Sequence, residues 1–272
     1  MNSLFDYILE KLNDAKNGDE FYTRLKDIER GLKPFDFRGK IVYCNCDNPE
    51  FSNFYKYFHD NFDKLGLKKL LCTYYAEDPK LYVYDGKDEQ KKKIESGEFQ
   101  KNSEIMKQCD IVVTNPPYSN NMPVELIEMC IKNKKDYIFV GPLHLPLHKE
   151  AFELIKNEQL YSTPISINNF ERPDGSNKKS PSCWWTNIYV EHPWKSTKEY
   201  DADKYPKYDN YDAIECSTWK DIPKDYDGKM GVPYRFICNL NKDDYKILDI
   251  KRTMKLNGKT LGSRLVIEKK ES

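Results

Sequence analysis

Asn115-Pro116-Pro117-Tyr118 packs two hydrogen-bond acceptors and a flat ring into four residues. Asn115 brings an amide oxygen, and Pro116 a carbonyl with no N–H beside it. Two acceptors so close together suit one NH2 group with two protons to give. Tyr118 adds a ring that can lie on a flat substrate. The set fits an aromatic amine such as the 6-amino group of adenine. The plainer alternative is a proline-rich loop that only ends a strand.

The run just before this loop must position it. Ile111-Val112-Val113 is β-branched throughout, as in a central parallel strand covered on both faces. The strand cannot continue past Thr114, because two prolines remove two backbone donors and fix two φ angles. The residue before each proline is also driven away from helical geometry. The chain therefore leaves the sheet as a stiff extended loop at the carboxyl end of a strand, where open α/β sheets bind ligands. The strand in front and the tyrosine behind favour the amine-binding reading over the plain loop.

The rest of the composition narrows the class. The 272 residues suffice for one large α/β domain or a domain with an appendage. Lys+Arg and Asp+Glu both total 44, so no global field draws the chain to nucleic acid, and any DNA contact must come from local patches. The 32% charged fraction and the lack of any 18-residue apolar run argue against a membrane protein. Asp6 and Glu10 make the N-terminus unlike a signal peptide. The eight cysteines are scattered and form no Cys-x-x-Cys pair, so they read as reduced core residues of a cytoplasmic protein. Zinc is not expected. His144 and His148 have helical metal-ligand spacing, but Pro142 and Pro146 break any helix through them, so no metal is expected there.

In chain order, residues 3–16 read as an amphipathic helix, and a second helix carries Leu25, Ile28 and Leu32. Residues 41–46 form the first strand, followed by an aromatic-rich helix over about 50–65 and a strand over 70–75. The lysine-rich region 87–101 reads as a surface excursion. A helix over 122–133, a strand over 137–140 and a helix over 148–157 follow the Asn115 loop. Residues 165–167 and 184–190 read as late strands flanking a polar loop, 171–182. From about 195 to 229 the periodicity fades. A compact tail then offers strand candidates at 236–238, 245–248 and 264–267. Alternating strands and helices predict a mostly parallel sheet whose switch point lies between the first strand and the Asn115 strand.

The Asn115 loop resembles that of amino-group methyltransferases, and the chain as a whole resembles the EcoRI-type adenine-specific DNA methyltransferases. The resemblance is carried by Asp19-Glu20-Phe21-Tyr22-Thr23, by Val42 to Asp47 with Ser52-Asn53-Phe54, and by Asp110 to Tyr118. Later pieces are Trp185-Thr186-Asn187, Tyr208 to Ile214, and Asp221 to Gly228 running into Met230-Gly231-Val232-Pro233. It implies a Rossmann-like class I methyltransferase fold, α/β with a late antiparallel strand, and a C-terminal extension. It also implies S-adenosylmethionine as methyl donor and double-stranded DNA as partner. A monomer or weak dimer is the expected assembly, with a cognate restriction endonuclease system left open.

The resemblance also implies site residues. Asn115, Pro116, Pro117 and Tyr118 would be catalytic, with Asn115 also against the donor. Phe21-Tyr22-Thr23 would wrap over the donor's methionine end, or else start a helix packed in the core. Cys46 and Asp47 stand where many methyltransferases have a Gly-x-Gly turn, and those glycines are absent here. Asp47 is the best carboxylate for the donor, or else caps the next helix. Glu98 would accept from the donor's adenine amine and Phe99 would pack on its ring, or both lie in an exposed loop. Residues 1–194 would be catalytic and 195–272 would help to recognise the target. Lys251, Arg252, Lys255, Lys259 and Arg264 are the candidate phosphate contacts. Two other functions compete. A protein-glutamine methyltransferase also presents an NH2, but predicts a Gly-rich donor turn. A silent DNA-binding relative does not predict an intact Asn115 loop.

Overall fold

The computed structural model describes residues 21–119, 121–172 and 174–270. The helix expected over 3–16 and the pair Asp19-Glu20 lie outside them. The chain forms two compact units. The first runs to Gly141 and takes in Ile167–Ser182; the second takes Pro142–Ser166 and the chain from Cys183 onward.

The first unit starts with helix α1 (Leu25–Leu32), which buries Ile28, Gly31 and Leu32. Strand β1 (Ile41–Cys44) follows, with Val42, Tyr43 and Cys44 all buried. Burial on both faces is the mark of a central strand. Ser52 then caps helix α2 (Asn53–Asp60), its Oγ accepting from the N–H groups of Phe54 and Tyr55 at 3.1 and 3.5 Å. The single helix expected over 50–65 is in fact two. Asn61 breaks it, turning its amide back onto the Tyr57 carbonyl at 2.9 Å, and the short α3 (Phe62–Leu65) ends at Gly66 in the left-handed region.

Strand β2 (Lys69–Cys72) pairs in parallel with β1. Within the lysine-rich region 87–101, expected as a surface excursion, β4 (Glu89–Lys93) pairs with β3 (Lys80–Tyr84) as a hairpin. Its turn is Asp85-Gly86, with the Asp85 carboxylate accepting from the N–H groups of Lys87 and Asp88 at 3.0 and 2.9 Å and Gly86 at φ 96°. All five residues of β4 are exposed, which suits an edge strand guarded by lysines.

Helix α4 (Ser103–Met106) leads into β5 (Ile111–Thr114), in which every residue is buried. Helix α5 (Met122–Lys132) and strand β6 (Asp136–Pro142) follow. Helix α6 (Lys149–Lys156) precedes β7 (Tyr161–Glu171) and β8 (Asn177–Thr186), which reach well into the loop expected over 171–182, and the Arg172 N–H donates to the Ser176 carbonyl at 2.8 Å between them. The large sheet has the order β4-β3-β2-β1-β5-β6-β8-β7. β1 pairs in parallel with β2 on one side and β5 on the other, so the order reverses between β1 and β5 as predicted. This is the Rossmann-like methyltransferase architecture.

The second unit has its own sheet. β9 (Ile214–Glu215) pairs with β10 (Met230–Pro233), which pairs with the central β14 (Arg264–Lys269), and β11 (Tyr245–Lys251) closes the order β11-β14-β10-β9. The strand expected over 236–238 is instead a 3-10 turn, Tyr234–Asn239; three apolar residues set no period. A small hairpin, β12 (Lys255–Leu256) and β13 (Lys259–Thr260), turns at Asn257-Gly258, both with positive φ. The Asp209 carboxylate accepts from both turn N–H groups, at 3.1 and 2.8 Å. No helix among the described residues is long and apolar enough to cross a membrane.

Candidate active site

β5 delivers the Asn115 loop to the sheet edge. Its register against β1 (Val42 with Ile111, Tyr43 with Val112) fixes where it ends, and the Asp110 carboxylate anchors its start by accepting from the Ile41 N–H at 2.7 Å. Asn115 then donates its amide N–H to the Phe21 carbonyl at 2.9 Å. That bond sets which way the amide points. The Asn115 oxygen is buried and has no hydrogen-bond partner among the described residues. A buried acceptor left unpaired costs about 1–3 kcal/mol, which a substrate N–H would recover.

Tyr118 sits in an aromatic cluster. Phe21 meets it edge-to-face at 5.1 Å and Phe170 at 6.4 Å, while Phe21 and Phe170 are 4.8 Å apart. The Tyr118 hydroxyl donates to the Ser182 hydroxyl at 3.2 Å. Ring and hydroxyl are thus both held. Pro116 is buried and Pro117 half-buried.

The predicted donor residues fall into two groups. Phe21 is buried, and Tyr22 pairs with Glu171 by two backbone bonds of 2.7 and 2.9 Å. Tyr22 also faces the exposed Phe51 across 6.5 Å, and the two line a cleft of about 290 Å³ with Asn53 and Arg172. Thr23 is buried with its hydroxyl unpaired among the described residues, and its carbonyl accepts from the Asn53 amide at 2.9 Å. Cys46 is half-buried, and burial pushes its thiol well up. Asp47 is buried with both carboxylate oxygens taken: Oδ1 accepts from Ser52 at 2.6 Å and Oδ2 from Thr114 at 2.7 Å. Burial raises its pKa to about 6, against the lowering pull of those two hydroxyls.

Glu98 and Phe99 form the second group and make local bonds. Glu98 is 44% exposed and pairs with Lys101 at 3.1 Å. Phe99 is buried at the start of a 3-10 turn. Gly97 brings them against the end of β2, since a Cβ there would lie 2.4 Å from the Tyr74 carbonyl oxygen.

Sequence reasoning missed Asn45, Thr114, Phe170 and Ser182. Asn45 is 1% exposed, and neither polar atom of its amide has a partner among the described residues. An asparagine inside an otherwise apolar first strand was the available signal. Of the candidate phosphate contacts, Arg264 is a correction. Its guanidinium is bound to the buried Glu215 by two bonds of 3.0 Å, with Tyr208 donating to the same carboxylate, so it is committed inside the unit. Lys251 pairs with Asp249 at 2.6 Å, whereas Lys255 and Lys259 are exposed on the β12–β13 hairpin. Among the described residues no cluster of His, Cys, Asp and Glu could hold a metal ion.

A parallel sheet that reverses order beside an Asn-Pro-Pro-Tyr loop, with an unpaired amide oxygen at its edge, defines an amino-group methyltransferase. The family described as adenine-specific methyltransferase EcoRI matches residues 8–102 and 83–272. Type II methyltransferase M.EcoRI of Escherichia coli is 33% identical, over 97% of this chain and 96% of its own. Type II methyltransferase M.MpnI of Mycoplasma pneumoniae is 33% identical over 89% of this chain and 85% of its own. Type II methyltransferase M.MgeORF184P of Mycoplasma genitalium is 30% identical over 86% and 83%. The chain belongs to the EcoRI family of adenine-specific DNA methyltransferases.

Proposed function

We propose that this adenine-specific DNA methyltransferase methylates the 6-amino group of an adenine flipped out of a specific duplex sequence, on the loop Asn115 to Tyr118. The observation that carries this reading is the Asn115 amide, fixed at its nitrogen by Phe21 and with no partner for its buried oxygen among the described residues. Asn115 and the Pro116 carbonyl accept the two N–H groups of the amine. They draw its lone pair out of the ring and aim it for in-line attack. These bonds strengthen as positive charge grows on nitrogen, so they favour the transition state over the ground state. Holding the amine in line supplies about 7–11 kcal/mol. Flipping costs a few kcal/mol, and stacking on Tyr118, worth roughly 1–3 kcal/mol, offsets much of it.

S-adenosylmethionine fits as donor, and when bound it supplies a methyl on a sulfonium that leaves readily. Buried polar atoms on Thr23 and Asn45 that lack a partner among the described residues are the kind that such a polar ligand would satisfy. Phe21, Tyr22, Thr23 and Cys46 would hold one part of it, and Glu98 and Phe99 its adenine. Asp47 we place in the wall of this site.

We assign catalysis to residues 1–194 and part of target recognition to 195–272, where Lys255 and Lys259 offer exposed charge. The chain would serve as the modification half of a restriction–modification system, as a monomer or weak dimer. A reducing cytoplasm suits its eight free thiols, seven of them buried. The test is methyl transfer from labelled S-adenosylmethionine to DNA and to protein, with the modified positions sequenced. Label on adenine at one recurring sequence is expected, and label on protein alone overturns the reading.

A further inference from the structure

We infer that Asp47 is a positioning residue, which sets the attitude of Asn115 by gripping Thr114 from one side and the cap of helix α2 from the other. The inference rests on the function proposed above and deepens it. Thr114 is the last residue of β5 and the immediate neighbour of Asn115. It is fully buried, and its hydroxyl donates to Asp47 Oδ2 at 2.7 Å across 67 residues of sequence. Asp47 Oδ1 takes the Ser52 hydroxyl at 2.6 Å, and the same Ser52 oxygen caps α2. The Asp47 backbone is tied as well: its N–H donates to the Thr73 carbonyl at 3.2 Å, and its carbonyl accepts from the Cys72 thiol at 2.7 Å. One residue therefore joins the ends of β1, β2 and β5 and the start of α2, its carboxylate holding β5 and α2 and its backbone holding β2. The loop that holds the amine hangs from that joint.

The grip needs a carboxylate with both oxygens free to accept. A proton on either oxygen turns an acceptor into a donor, and one of the two hydroxyls must then let go or turn round. The titratable groups facing Asp47 are the thiols of Cys44 from β1, of Cys46 in the turn just beyond it, and of Cys72 from β2. Burial pushes all three up, so they stay neutral. From the cap of α2 and the end of β5 it accepts from the Ser52 and Thr114 hydroxyls. With the Asp47 pKa raised to about 6 by burial, the grip is complete above that pH and fails below it.

The experiment compares Thr114→Val, Thr114→Ser and Asp47→Asn in the full chain, with S-adenosylmethionine affinity measured by calorimetry and turnover of duplex DNA across pH. Thr114→Val should lower kcat roughly ten- to a hundredfold, the scale of a misplaced reacting group. Its donor Kd should stay within about twofold, a change too small to reflect a lost contact. Thr114→Ser keeps the hydroxyl and should restore most of the rate. Wild-type kcat should fall on the acid side with a midpoint near 6, and Asp47→Asn should lack that limb. Wild-type turnover in Thr114→Val overturns the inference, as does equal loss in Thr114→Ser or an acid limb that survives in Asp47→Asn. Donor affinity that falls in step with kcat also overturns it, by making Asp47 a donor ligand. A wild-type chain that methylates no adenine defeats the underlying function instead, so the two failures are distinct.

Discussion

Asn115 and Phe21 are joined by a 2.9 Å bond from a side-chain amide to a main-chain carbonyl, across 94 residues of sequence. It leaves the Asn115 oxygen as the free end of the amide. Asn115→Ala should therefore abolish one amine contact while sparing the donor site. A hydrogen bond to a group gaining charge is worth about 1.5–3 kcal/mol, so single-turnover methylation should slow by roughly ten- to 150-fold. A wild-type single-turnover rate in this variant would remove the loop from the catalytic centre.

Tyr118 should divide into two effects. Tyr118→Ala removes the ring, so it should weaken capture of the flipped base and raise the apparent DNA constant. Tyr118→Phe keeps the ring and loses the hydroxyl that donates to Ser182, so it should stay near wild type in binding. Fluorescence of 2-aminopurine at the target position reports flipping apart from methylation. Equal flipping signals in all three proteins would show that Tyr118 does not stack on the base.

Asn45 should separate affinity from stability. Its buried amide, without a partner among the described residues, costs the ligand-free protein about 1–3 kcal/mol. Asn45→Ala relieves that cost, so the thermal midpoint without ligand should hold or rise. Calorimetry should show weaker S-adenosylmethionine binding, by roughly tenfold if one good bond is lost. A lower midpoint with unchanged donor affinity would make Asn45 a purely structural residue.

The titration of Asp47 has a consequence for folding opposite to the one for turnover. Its folded pKa, about 6, lies above the ordinary 3.8, so the proton favours the folded state. That contribution is full below the unfolded value and is lost as pH rises through the folded one. The shift corresponds to about 3 kcal/mol. Urea midpoints of Asp47→Asn should therefore gain on wild type between pH 4 and 6, roughly the interval between the two values, and then run parallel. Parallel midpoints over the whole range would show that the Asp47 pKa is not raised.

Lys255 and Lys259 should set part of the salt dependence of DNA binding. Each phosphate contact adds about 0.9 to the slope of log K against log salt. Replacing both lysines by Ser should flatten the slope by up to about 1.8. An unchanged slope would take the β12–β13 hairpin out of the DNA interface.

The central strand and its loop were legible because their cues are local: a β-branched run, two prolines, a tyrosine. The β3–β4 hairpin was harder to see, since Glu89 to Lys93 have little strand propensity and are held by pairing, although Asp85-Gly86 marked the turn. The grip of Asp47 on Thr114 was invisible in sequence because it closes over 67 residues. A separation of 49 residues likewise hid the commitment of Arg264 to Glu215, which made a core cation look like a surface one.

The turn between β12 and β13 also has a history in time. An asparagine followed by glycine is where a chain ages chemically, because the glycine nitrogen, once deprotonated, attacks the asparagine side chain. Asn257-Gly258 is such a pair, exposed and set between Lys255 and Lys259. Asp209 holds the Gly258 N–H at 2.8 Å and so keeps the nucleophile protonated and turned aside. Asp209→Ala should therefore let stored protein accumulate the acidic form, seen as a second band on an isoelectric gel, while the parent sequence keeps its charge.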